Sequence, residues 1–116
     1  MYRRLFFALT AFFLLAATPL GAARRFTLVI DPGHGGHDAG AMGAISKEKD
    51  INLNVALAFG RYVERNCPDV RVIYTRKTDV FVPLNERAQI ANRANADLFV
   101  SVHTNALPGG KIARGF

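Results

Sequence analysis

The chain of 116 residues contains a single cysteine, so no intrachain disulfide can form. That residue, Cys67, precedes Pro68 near an expected helix end, and no feature of the sequence activates it as a nucleophile. It reads as a small structural side chain. A dense basic patch with interleaved aromatics is also lacking. The lysines and arginines are scattered, which argues against nucleic acid as a partner. Neither G-x-x-x-x-G-K-[ST] nor G-x-G-x-x-G occurs, so a phosphate-cradling loop has no support. No His-Glu-x-x-His helix is present, which sets aside that class of metallopeptidase. There is no internal repeat, and no low-complexity segment beyond the N-terminus.

The one long apolar run lies at that N-terminus. Met1-Tyr2-Arg3-Arg4 is a basic start, and Leu5 to Leu15 is apolar except for Thr10. Pro19-Leu20-Gly21-Ala22-Ala23 then closes in small residues. This is the pattern of a secretory signal covering residues 1–23, with cleavage expected after Ala23. The apolar run is short for a membrane span, so no stable span is expected after cleavage. The alternative is an uncleaved N-terminal anchor. Cleavage removes Arg3 and Arg4 and lowers the net charge from +6 to +4. A mildly basic exported protein, periplasmic or extracellular, suits an anionic cell-wall polymer.

The remainder reads as a β-α-β-α-β unit of α/β class. Phe26 to Ile30 and Leu98 to Val102 are short, β-branched and without alternation, as buried parallel strands are. Val70 to Tyr74 is a third strand. A helix is expected from Ser46, as its cap, to Asn66, with an apolar stripe through Ile51, Val55, Ala58 or Phe59, Tyr62 and Val63. A second helix follows Pro83, from about Leu84 to Ala94, with Leu84, Ala88, Ala91 and Ala94 on one stripe. Right-handed crossovers make the strands parallel. A ligand shared by the ends of strands one and three makes those strands neighbours. The expected fold is therefore three-layered, with a mainly parallel sheet in the order 2-1-3.

Open α/β sheets bind ligands beyond the carboxyl ends of their strands. His34 follows the first strand in Asp31-Pro32-Gly33-His34-Gly35-Gly36, and His103 follows the third. Glu48 lies in the first turn of the first helix. Two histidines and a carboxylate fit a catalytic zinc shell with a fourth position open. Each alone has a plainer reading: Glu48 complements the helix dipole, and His103 is a satisfied strand-end histidine. His37 and Asp38 compete for the same role, but a glycine-rich loop has no helical face to align His34 with His37. Asp31 is a candidate to orient His34 from behind, or to cap the turn before Pro32.

Three ordered motifs then carry a resemblance: Asp31-Pro32-Gly33-His34-Gly35-Gly36, Glu48-Lys49-Asp50-Ile51-Asn52-Leu53 and Ser101-Val102-His103-Thr104-Asn105-Ala106. With Thr75-Arg76, Asp79-Val80-Phe81 and Asn85 to Asn92, the chain from Phe26 onward resembles the zinc-dependent N-acetylmuramoyl-L-alanine amidases of the Amidase_3 type. The resemblance implies that His34, Glu48 and His103 bind Zn2+. It implies peptidoglycan as partner and cleavage, by zinc-activated water, of the amide between N-acetylmuramic acid and L-alanine of the stem peptide. Family members continue well past the equivalent of Ala113 to Phe116, and their general base is a glutamate near the C-terminal end. Residues 24–116 are accordingly expected to be a partial catalytic domain, with the base beyond Phe116. Glu64 and Glu86 match other family positions, and neither is assigned that role. The alternative is a truncated, non-catalytic module that keeps zinc and binds the wall. The residues name neither a stem-peptide preference nor an activator protein.

Overall fold

A computed structural model describes residues 23–106. The expected export signal at 1–23 lies outside them, Ala23 excepted, as does the C-terminal stretch from residue 107. The elements are β1 (Phe26–Pro32), α1 (Glu48–Asn66), β2 (Val70–Tyr74), α2 (Leu84–Arg93) and β3 (Leu98–Val102). The sheet is parallel, in the order β2-β1-β3. Phe26 pairs with Val70 on one side of β1, and Leu28 with Leu98 on the other. The expected topology is thus the observed one. No helix among the described residues is long and apolar enough to cross a membrane.

Central position explains the composition of β1. Both of its faces are covered, so Leu28, Val29 and Ile30 are all buried. Alternation along the strand sends Leu28 and Ile30 toward α1, where they pack with Ala56, Val63, Val72 and Val100. Asp31 faces the other way, toward Arg87 of α2. The two helices therefore lie on opposite faces of the sheet.

Three expectations need correction. The buried stripe of α1 is Asn52, Ala56 and Gly60, with Val63 packed against the core, whereas Val55, Phe59 and Tyr62 are exposed. The reason is close approach. A Cβ at Gly60 would collide with the Tyr74 ring, so small residues face the sheet and the larger apolar ones turn outward. Second, Ser46 does not cap α1. The helix starts at Glu48, and no side chain caps it. Instead the preceding loop supplies backbone acceptors: Ala41 O takes the Glu48 N–H at 2.9 Å, and Ala39 O takes that of Lys49 at 3.1 Å. Third, β3 is less buried than its composition suggests. Leu98 and Phe99 are exposed, because β3 is the sheet edge among the described residues and α2 stands off from it. A cavity of about 730 Å³ separates them, lined by Leu84, Ala88 and Ala91 of α2 and by Phe99, and it reaches His34 and His103.

Candidate metal centre

β1 ends at Pro32, and the chain then turns sharply. His34 has φ +63°, followed by Gly35 and Gly36, also in positive φ. This turn carries His34 back over the sheet end, beside His103 at the end of β3. The imidazole rings meet edge to face, with centroids 4.9 Å apart. Glu48 enters from the first turn of α1. Its Oε1 lies 3.3 Å from His34 Nε2 and 3.1 Å from His103 Nδ1. One ligand atom from each of His34, Glu48 and His103 falls within 4.8 Å of the others.

Two glycines make room for this convergence. A Cβ at Gly33 would collide with the His103 ring. Gly40 has φ +65°, and a Cβ there would lie 2.6 Å from His34 Cδ2 and 2.7 Å from Glu48 Oε2. No larger residue fits at either position without moving a ring or the carboxylate.

Glu48 is buried and kept ionised. Burial alone would raise its pKa, but the amides of Ala41 and Thr104, with His103 and Asn52, outweigh that and lower it to about 2. Asn52 also donates to Gly33 O at 3.2 Å, and Thr104 Oγ1 donates to Asn52 Oδ1 at 2.5 Å. Asn52 thus ties α1 both to the loop that follows β1 and to the segment that follows β3.

The remaining candidates separate clearly. Asp31 makes no hydrogen bond to His34. It accepts hydrogen bonds from Thr75 Oγ1 at 2.6 Å, Arg87 Nη1 at 2.8 Å and Ser101 Oγ at 2.8 Å. These bonds override the upward push of burial and hold it below the usual carboxylate range. Asp38 takes the place expected of Asp31. Its Oδ2 lies 2.9 Å from His34 Nδ1, and its Oδ1 accepts the Gly40 N–H at 3.1 Å. The bond to His34, opposed by burial and aided by Gly40, lowers the Asp38 pKa. A carboxylate on Nδ1 selects the tautomer with the Nε2 lone pair free, the usual arrangement behind a metal-binding imidazole. His37 is exposed and packs on Phe81, with ring centroids 4.1 Å apart, outside the three-residue group. Glu86 is exposed on α2 and does not line the cavity. Sequence reasoning assigned no role to Arg76, Arg87, Lys49 or Asn52. Arg87 carried the one usable signal, a cation three residues from Leu84 and four from Ala91 on the apolar stripe.

Two imidazole nitrogens and a buried carboxylate, at the carboxyl ends of parallel strands and beside an open cavity, could hold a metal ion as a three-ligand centre does. Comparison with known proteins gives that class a family. The family model described as N-acetylmuramoyl-L-alanine amidase, Amidase_3, matches residues 28–116, and the chain belongs to this family. It is 49% identical over 87 residues to the endolysin of Bacillus phage SPP1, across 71% of this chain and 30% of that protein. It is 40% identical over 87 residues to the amidase AmiC of Escherichia coli O6:H1, across 74% of this chain and 21% of that one. The crystal structure of N-acetylmuramoyl-L-alanine amidase from Clostridium difficile 630 superposes with a TM-score of 0.74 at 38% identity, covering 80% of this chain and 50% of that one. The chain thus spans a fifth to a third of these two curated relatives and half of this solved one.

Proposed function

We propose that this protein is an exported, zinc-dependent peptidoglycan hydrolase that cleaves the amide between N-acetylmuramic acid and L-alanine of the stem peptide. The observation that carries the reading is the convergence of His34, Glu48 and His103 on one point in a member of the Amidase_3 family. The donor set suits the ion: nitrogen and oxygen ligands, no thiolate, and one side left open. A zinc ion held there would polarise the scissile carbonyl and acidify water.

The chain's own residues do the rest. Asp38 fixes the His34 ring from behind. The amides of Ala41 and Thr104 keep Glu48 anionic. The cavity leads to the open side between Phe81, Val82, Leu84 and Phe99, and offers an apolar wall against which a peptide can be held out of water. A proton acceptor is also required. Among the described carboxylates near the site, Glu48 belongs to the ligand set, Asp38 serves His34 and Asp31 serves Arg87. The base is therefore proposed to come from outside residues 23–106.

That same observation favours one second reading: a module that holds zinc and binds the wall without hydrolysis. Incubation of the purified protein with peptidoglycan, zinc present, distinguishes the two. Release of peptides with a free L-alanine amino terminus, lost in Glu48→Ala, supports the hydrolase. Retention on peptidoglycan with no peptide released supports the module. Neither retention nor release refutes both.

A further inference from the structure

Two buried arginines stand behind the His34 loop, and the proposed chemistry uses neither. Arg76 follows β2 and Arg87 lies on α2, and both are almost wholly inaccessible to solvent. Between them they take three successive carbonyls of the turn. Pro32 O accepts from Arg76 Nε at 2.9 Å and Arg87 Nη1 at 2.8 Å. Gly33 O accepts from Arg76 Nη2 at 2.9 Å, and His34 O from Arg87 Nη2 at 2.8 Å. Arg76 spends its other bonds on Thr78 O and Lys49 O, and Arg87 on Val82 O and Asp31. Of the two, only Arg87 has a carboxylate in direct contact among the described residues.

Burying two like charges side by side is unfavourable, and a core that only had to fill space would use apolar residues. What the pair achieves is geometric. The turn runs through three consecutive positive φ values, one of them at a histidine, a conformation that persists only where its surroundings over-determine it. A planar guanidinium with its donors in a fixed fork can bind several carbonyls at set angles, which an ammonium cannot. On the far side of the turn, Lys49 Nζ donates to Gly36 O at 2.9 Å, and Asp79 Oδ1 accepts the Gly36 N–H at 2.8 Å.

We propose that Arg76 and Arg87 are positioning residues of the metal centre: by clamping the carbonyls of Pro32, Gly33 and His34 they impose the left-handed turn that aims the His34 ring at Glu48 and His103. The proposal rests on the reading of His34 as a metal ligand. The plainer account is that the arginines only satisfy buried carbonyls, which would affect folding but not the metal.

The test measures zinc affinity of the full chain by competition with a chromophoric chelator, with the visible spectrum of the Co2+-substituted protein as a report on ligand geometry. Arg87→Lys and Arg76→Lys keep the charge and lose the fork. Thr75→Val removes a bond to Asp31 in the same buried network but touches none of the three carbonyls. The expected result is zinc binding weakened about 10–100-fold in both lysine variants, the range for residues that orient ligands. Their Co2+ spectrum should change, while Thr75→Val keeps the wild-type affinity and spectrum. Lysine variants that bind zinc as the wild type does overturn the proposal. So does Thr75→Val losing as much affinity as they do. If the lysine variants do not fold, amide exchange in the wild type decides: Gly35 and Gly36 should stay protected after zinc is stripped, and loss of that protection shows that the metal shapes the turn. A wild-type chain that binds no zinc would instead sink the metal reading beneath it.

Discussion

Gly40→Ala tests the packing of the centre with one methyl group. Two costs add at this position. The backbone sits at φ +65°, where a residue with a Cβ is disfavoured by about 1–2 kcal/mol. The methyl would also lie 2.6 Å from His34 Cδ2, 2.7 Å from Glu48 Oε2 and 2.9 Å from Glu48 Cβ. Relieving those contacts means moving a buried carboxylate or a ring, and overpacking of this kind costs roughly 1–3 kcal/mol. A total of several kcal/mol is a large share of the stability of a small domain. The strain falls on two of the three proposed ligands, so zinc affinity should drop together with stability. Gly43→Ala is the internal control. It lies three residues further on, its φ is not in the left-handed region, and its nearest neighbour would be Ser46 O at 3.2 Å. Urea unfolding with and without zinc, combined with chelator competition, reads both quantities. The reasoning fails if Gly40→Ala matches Gly43→Ala in stability and in zinc affinity.

Three further outcomes are expected. The double variant His34→Ala, His103→Ala should lose bound zinc, measured as metal per chain after dialysis, and an unchanged stoichiometry contradicts the assignment. Glu48 has its pKa lowered from 4.5 to about 2 in the folded protein. Its ionised form therefore stabilises the fold above pH 4.5 by roughly 3 kcal/mol, and this is lost as pH falls toward 2. In metal-free protein, the advantage of wild type over Glu48→Gln should shrink between pH 7 and pH 3, and an equal difference at both pH values rules this out. The exported protein should begin at Arg24 by mass spectrometry, and a mature chain retaining Met1 refutes cleavage and favours an anchor.

The strands were legible in the sequence because each is a short apolar, β-branched run, although only β1 is buried along its length, and the histidines beyond two of them marked the sheet end. The order 2-1-3 followed from asking which strands could share a ligand. The face of α1 was not legible. Hydropathy picks out Val55, Phe59 and Tyr62, but contact with the sheet is governed by how near Tyr74 comes to Gly60, a distance that no local pattern encodes. The expectation that Asp31 orients His34 failed for a related reason. Asp31 opens the motif, yet its carboxylate is taken up by Thr75, Arg87 and Ser101. Asp38 lies beyond a turn whose positive φ values fold it back onto His34. The arginine clamp joins residues more than forty positions apart, and a single chain without that topology gives no reason to connect them.

The loop that completes α1 has a base and a tip with opposite tolerances. Ala39 and Ala41 supply the acceptors for the first amides of the helix, and Met42 bridges to Lys47. Beyond that bridge, Gly43 to Ser46 closes on itself through the Gly43 N–H and Ser46 O, with Ile45 standing almost wholly in solvent. An insertion at the tip lengthens only a surface turn, and each doubling of its length costs about 0.6 kcal/mol. A residue added at the base unseats the helix start and swings Glu48 away from both histidines. Length variation in this loop is therefore confined to four residues between two fixed anchors.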